Sequence, residues 1–300
     1  MTETPVISLK DIRKSYRDFE LGPVDLRVEP GYVVAVVGPN GGGRSTLFRM
    51  LMNLVQPDSG ELTLFGGASY PDGEVAIKRR VGYVPECSLG HDEMSAKSLG
   101  EFVSRFYPRW DHRLYEDLQR RARIEPDKRY GKLSKGVQRR LAFALALATG
   151  SDLLLLDEPT VGVDPFARRQ MLEDISRFMH SGDGSNDDRT VLFATHVMEE
   201  VRRIADYVVF LADGEFLGLH EKDALLEQWK IFWVDREPEG DVPGLVEVEC
   251  GAPARIVSDS PQETAEALFA QNIRIVCSGA LDLEDILSHL VRRSNERHRV

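Results

Sequence analysis

A chain of 300 residues with 42% apolar and 29% charged content holds enough material for one large or two modest domains with a buried core, which excludes a disordered or low-complexity protein. A net charge of −11 speaks against a general duplex-binding surface, because affinity for a phosphate backbone needs clustered cations. No stretch approaches the roughly 18 consecutive apolar residues of a bilayer span, the start MTETPVISLKDIRKSY lacks an apolar signal core, and Cys87, Cys250 and Cys277 are too few and scattered for a disulfide framework or zinc site. A cytoplasmic chain is expected.

Residues 5–10 and 24–29 alternate apolar and polar, the pattern of half-buried antiparallel strands. The run 32–37 (YVVAVV) is apolar throughout, as are 153–156 (four leucines) and 191–194 (VLFA), with Val81-Gly82-Tyr83-Val84 a shorter relative. Strands without alternation are buried on both faces, which predicts a mostly parallel sheet covered by helices. Between them, about 92–150 reads as a helical insert. Asp111 is placed to cap its second helix, and Leu141–Ala148 is a strong helix former stopped by Gly150. Tyr207–Leu211, a turn at Ala212-Asp213-Gly214 and Glu215–Leu219 predict a hairpin. From about Trp229 the texture becomes that of a small α+β appendage. Its expected strands lie near 231–234, 245–248 and 255–257, its helices near 262–270 and 282–292, and Arg292–Arg299 is expected to fray.

The stretch Gly38-Pro39-Asn40-Gly41-Gly42-Gly43-Arg44-Ser45-Thr46 sits between an apolar strand and a helix. It fits the phosphate-cradling pattern G-x-x-x-x-G-K-[ST] at every fixed position except Arg44, where lysine is usual. In such a loop the backbone N–H groups of Gly41, Gly43, Arg44 and Ser45 point into one cavity, and the serine hydroxyl binds Mg²⁺. Asp157 and Glu158 close the leucine strand at the sheet edge where parallel α/β folds bind ligands. Asp157 is a candidate to hold Mg²⁺ and Glu158 to act as general base on an attacking water. The alternative for such a pair is an ordinary strand-end cap. His91-Asp92-Glu93 lacks further ligands nearby and reads as solvated surface, not a metal cluster.

Leu133-Ser134-Lys135-Gly136-Val137 lies just before the alanine/leucine helix, and here the chain resembles the ATP-binding-cassette family, over roughly residues 5–226. The resemblance implies an α/β P-loop NTPase core with an antiparallel β subdomain. Together with the change in texture at Trp229, it divides the chain into a cassette at 1–228 and an accessory region at 229–300. It gives Tyr16 an adenine-stacking role, with a core aromatic as the alternative. Glu86 falls where a glutamine usually touches metal and water. Ser134 and Gly136 correspond to the signature that meets the γ-phosphate of a second cassette, Asp164 to the loop beside it, and His196 to the switch histidine. ATP and Mg²⁺ are the implied cofactors. Separate transmembrane permease subunits and a second cassette, as homo- or heterodimer, are the implied partners, at the inner face of the cell membrane and with no nucleic acid expected.

Lys135, Val137, Glu86 and Arg44 depart from the family pattern. The LSKG and GYxPE variants resemble a branch of bacterial exporter ATPases. A guanidinium is planar and forked where lysine is a compact point charge, so slowed hydrolysis by a partner or regulatory cassette is one alternative to an exporter ATPase. A soluble non-transport cassette is another. It is disfavoured by the single cassette, the acidic balance and the absence of sustained heptads.

Overall fold

The computed structural model describes residues 4–70, 72–180 and 189–297. They form two compact units, the first through Leu219 and the second from His220.

In the first unit, β1 (Ile7–Tyr16) and β2 (Phe19–Val28) pair antiparallel. Their alternation sends Ile7, Leu9 and Ile12, and Leu21, Val24 and Leu26, into one core. β3 (Val33–Val37) is buried along its whole length and leads through the glycine-rich loop into α1 (Arg44–Leu51). β4 (Ser59–Leu64) extends the first sheet to the order β2-β1-β4. The sequence pattern does not reveal this strand, because its first three residues are exposed and Gly60 adopts φ 93°. α2 (Glu74–Lys78) and β5 (Val81–Val84) follow.

The helical insert is present as α3 (Ala96–Ser104), α4 (His112–Arg121) and α5 (Lys135–Ala148). Ser95 and Ser98 form a reciprocal capping box on α3, and the Asp111 carboxylate accepts from the Leu114 N–H on α4; both satisfy donors that a helix start leaves free. Every residue from Leu141 to Ala148 is buried, which marks α5 as a helix enclosed on all sides, and it packs on α4 and β5.

β6 (Leu153–Asp157), α6 (Pro165–His180), β7 (Thr190–Thr195), α7 (Met198–Ile204), β8 (Tyr207–Ala212) and β9 (Glu215–Glu221) complete a sheet of order β5-β6-β7-β3-β8-β9. The first five are parallel neighbours. β8 and β9 meet at the expected turn, with Asp213 and Gly214 both at positive φ, the geometry that suits a two-residue hairpin loop. The order brings the C-terminal ends of β6, β7 and β3 side by side.

The second unit comprises α8 (Lys222–Gln228), β10 (Lys230–Val234), β11 (Leu245–Glu249), β12 (Ala254–Ser258), α9 (Pro261–Ala270), β13 (Ile275–Ala280) and α10 (Leu283–Arg297). Its antiparallel sheet has the order β11-β12-β10-β13. Leu268 of α9 joins Phe232, Val234, Ala254 and Ile256 in its core. Trp229 stacks on His289 with ring centroids 5.7 Å apart. β13, with its sequence IVCSGA, was not evident as a strand. Where a frayed tail was expected, α10 continues to Arg297, and within it Arg292 pairs with Glu247 at 3.2 Å and Arg293 with Asp259 at 2.6 Å. His298 and Arg299 lie outside the described residues. All three cysteines are free and exposed. Among the described residues no helix is long and apolar enough to cross a membrane.

Candidate functional site

The glycine-rich loop turns sharply after β3. Gly42 N–H donates to the Pro39 carbonyl at 3.1 Å, and Gly43, with φ 106°, starts α1. A side chain at Gly43 would suffer both that backbone strain and a contact of 2.8 Å with Leu21. The first N–H groups of α1 have no partner inside the helix and carry its positive dipole end. They border a cleft of about 780 Å³ lined by Tyr16, Phe19, the loop from Asn40 to Thr46, Arg49, Glu86, Arg139, Glu158, Val161 and His196.

Three oxygens converge beside the loop. The Ser45 hydroxyl lies 2.9 Å from Glu86 Oε2 and 3.3 Å from Asp157 Oδ1. Burial pushes the Asp157 carboxyl up to about 6. The Ser45 hydrogen bond opposes this, while the charges on Glu86 and Glu158 add to it. The Arg44 charge offsets part of that repulsion, and a donor set of one hydroxyl and two carboxylates, all hard oxygens, fits a divalent cation such as Mg²⁺.

Glu158 follows β6 with φ 49°, a left-handed conformation that a non-glycine residue holds only where its surroundings impose it. Its N–H donates to the Ala194 carbonyl at 3.1 Å. Its Oε2 lies 3.0 Å from His196 Nδ1, and its Oε1 lies 2.8 Å from Arg44 Nη2. Among the described residues Oε1 accepts no hydrogen bond, and its Arg44 contact is an ion pair without hydrogen-bond alignment. Arg44 itself is 7% exposed. Its guanidinium also donates to the Gly38 and Thr195 carbonyls at 2.8 and 3.1 Å and reaches Asn40 Oδ1 at 3.3 Å. It therefore ties the loop to β7 as well as to Glu158.

The cleft gathers most of the residues named from sequence. Tyr16 is 45% exposed at its mouth, 6.4 Å from the ring of Phe19. Gly38 and Pro39 shape the loop without lining the cleft. Ser134, Gly136 and Asp164 stand apart from it. Ser134 caps α5, and the Asp164 carboxylate accepts from the Ala167 N–H at 3.0 Å, a bond that, with the Arg140 charge, holds it below the usual carboxylate range. At Gly136 an added Cβ would sit 2.6 Å from the Gly162 carbonyl oxygen, so the first turn of α5 and the loop at Gly162 approach through bare backbone. His91 packs edge-on against Phe102 and Glu93 pairs with Arg129; no metal cluster forms there among the described residues.

Sequence reasoning missed Phe19, an aromatic on an alternating strand that reads as core. It also missed Arg139, whose guanidinium donates to the Pro85 and Glu86 carbonyls and so links the start of α5 to the segment carrying Glu86. The run Gln138-Arg139-Arg140 beside the signature was the available signal.

Residues 21–161 match the family model described as ABC transporter. The chain is 33% identical over 230 residues to the Nod factor export ATP-binding protein I of Cupriavidus metallidurans, covering 75% of this chain and 74% of that one. It is 32% identical over 224 residues to the ABC transporter ATP-binding protein NatA of Bacillus subtilis, covering 73% and 86%. A solved ATP-binding subunit of an ABC transporter superposes with TM-score 0.65 at 25% identity, over 74% of this chain and 92% of that one. An ATP-binding cassette solved as a post-hydrolysis dimer with ADP and Pi superposes at 0.63 and 23% identity, over 72% and 98%, a likeness of fold. The phosphate loop, the paired carboxylates at the end of β6 and the histidine at the end of β7 thus occur in a chain that belongs to the ABC transporter family, as an ATP-binding subunit.

Proposed function

We propose that this chain hydrolyses ATP to drive a bacterial exporter through separate membrane-embedded subunits, at the cytoplasmic face of the membrane and paired with a second cassette. The observation that carries the reading is the convergence of Ser45, Glu86, Asp157, Glu158 and His196 on one cleft at the start of α1. The export names of several relatives support the direction.

In this reading Tyr16 and Phe19 flank the adenine, and the amides of Gly41 to Thr46 hold the phosphates. Ser45, Asp157 and Glu86 would hold Mg²⁺, which when bound offsets charge on the β- and γ-phosphate oxygens. Glu158 accepts the proton of the attacking water, and His196, through Nδ1, fixes the direction in which that carboxylate points. Ser134, Gly136 and Asp164, away from this cleft, are free to serve the site of a second cassette. An apolar cleft of about 560 Å³, lined by Val75, Tyr83, Leu89, Leu99, Val103 and Phe106 among others, suits a short apolar helix from the membrane partner. The C-terminal region is assigned an accessory role in pairing or regulation; removing residues 220–300 without effect on either turnover or pairing would end that assignment.

The Arg44–Glu158 ion pair favours one refinement, a cassette that binds ATP well and hydrolyses it slowly. Arg44 occupies Oε1 of the residue that must accept a proton, and it reaches phosphate only by giving up protein contacts. The purified chain is expected to hydrolyse ATP with Mg²⁺ and to form ATP-dependent dimers in the Glu158→Gln variant. Absence of both nucleotide binding and turnover overturns the function; equal turnover in wild type and Arg44→Lys overturns only the attenuation.

A further inference from the structure

Glu200 lies on α7, outside the nucleotide cleft, and is 1% exposed. Both of its carboxylate oxygens are taken. The Thr160 hydroxyl donates to Oε1 at 2.5 Å and the Thr195 hydroxyl donates to Oε2 at 2.8 Å, while Arg168 Nε stands 3.5 Å from Oε1. Thr160 is two residues beyond Glu158, and Thr195 immediately precedes His196. One buried carboxylate therefore bridges the two loops that carry the general base and the histidine. Thr195 is fixed further, because its hydroxyl accepts from the Val197 N–H at 3.0 Å and its carbonyl accepts from Arg44.

We propose that Glu200, through Thr160 and Thr195, is a positioning residue that sets the register between Glu158 and His196 for hydrolysis. The inference rests on the ATPase reading above. Two features of the site call for such a brace. Glu158 holds a left-handed backbone, which relaxes unless the chain on each side is restrained. Its contact with His196 joins the ends of two separate strands, so a small shift of either loop breaks it. A bridge between hydroxyls one and two residues from the reacting groups restrains both loops at once, and burial keeps water from competing for it.

The test replaces the bridge with near-isosteric groups. The double variant Thr160→Val, Thr195→Val is expected to lose roughly ten- to a hundredfold in kcat, with KM for ATP and the melting temperature close to wild type. Serine at both positions restores the hydroxyls and is expected to restore the rate. Added to His196→Ala, the valine pair costs little more. An unchanged kcat, a loss fully accounted for by weaker ATP binding, or failure of serine to rescue overturns the proposal. A crystal structure of the valine variant decides independently of turnover. The proposal expects the Glu158–His196 separation to exceed hydrogen-bond reach, and a separation still near the present 3.0 Å refutes it. A wild-type chain without ATPase activity breaks the ATPase reading, leaving that structure to judge the bridge.

Discussion

The first unit presents two clefts that share a wall, the segment from Tyr83 to His91. On one side Glu86 and Arg139 face a polar cleft built on backbone amides and charges. On the other, Tyr83, Leu89 and His91 face an apolar cleft floored by α5. The first site depends on groups that are costly to bury and must be paired with one another or with a ligand. The second depends on area alone, and single changes there are absorbed more easily. Changes in the polar cleft and in the apolar cleft proposed for the membrane partner are therefore expected to act separately, except through the shared segment whose carbonyls Arg139 holds.

The largest expected effect lies in the polar cleft. Glu158→Gln removes the proposed proton acceptor and should lower turnover by about 10²–10⁴-fold while ATP still binds, as read by steady-state ATPase and a fluorescent-nucleotide titration. Next, Arg44→Lys releases Glu158 Oε1 and should raise turnover about tenfold, the scale of 1.4 kcal/mol in the barrier. Arg139→Ala tests the shared wall, with both turnover and partner association expected to fall several-fold.

A smaller effect concerns charge. Burial pushes the Asp157 carboxyl up to about 6 in the folded chain, from the 3.8 of an ordinary aspartate. Between those values the unfolded chain has lost a proton that the folded chain keeps. The Asp157 contribution to stability is therefore full below about pH 4 and falls as pH rises to about 6. Asp157→Asn should raise the melting temperature of the nucleotide-free chain at pH 7 by a few degrees and abolish stabilisation by Mg²⁺ with ATP. The smallest change in turnover is expected at the apolar cleft. Phe106→Ser, at a half-exposed ring, should leave the isolated chain's ATPase within about twofold yet weaken co-purification with a membrane partner.

The parts of the site that were legible in sequence are contiguous. The loop from Gly38 to Thr46 and the pair Asp157-Glu158 each occupy one stretch whose residue types have few other uses together. What escaped was long-range or disguised. The partners of Arg44, Glu158 just after β6 and Thr195 on β7, come from distant parts of the chain, so its ion pair with Glu158 could be known only from the fold. Glu200 sits beside exposed Glu199 on α7, and a Glu-Glu pair reads as solvated helix surface. Parallel strands were plain because burial on both faces removes alternation. β4 and β13 were hidden because an exposed start and a Cys-Ser-Gly interior erase any pattern.

The meeting of Gly136 with Gly162 has a consequence for how this chain tolerates mutation. Lys135 is exposed and, like Val137, departs from the residue usual in its family. Between them, position 136 has no room for even a methyl group against the Gly162 carbonyl. A library randomised over 135–137 and selected for activity should return many solutions at the outer positions and glycine in the middle. Signature divergence would then be permitted wherever a side chain can point outward, and barred where two stretches of main chain already touch.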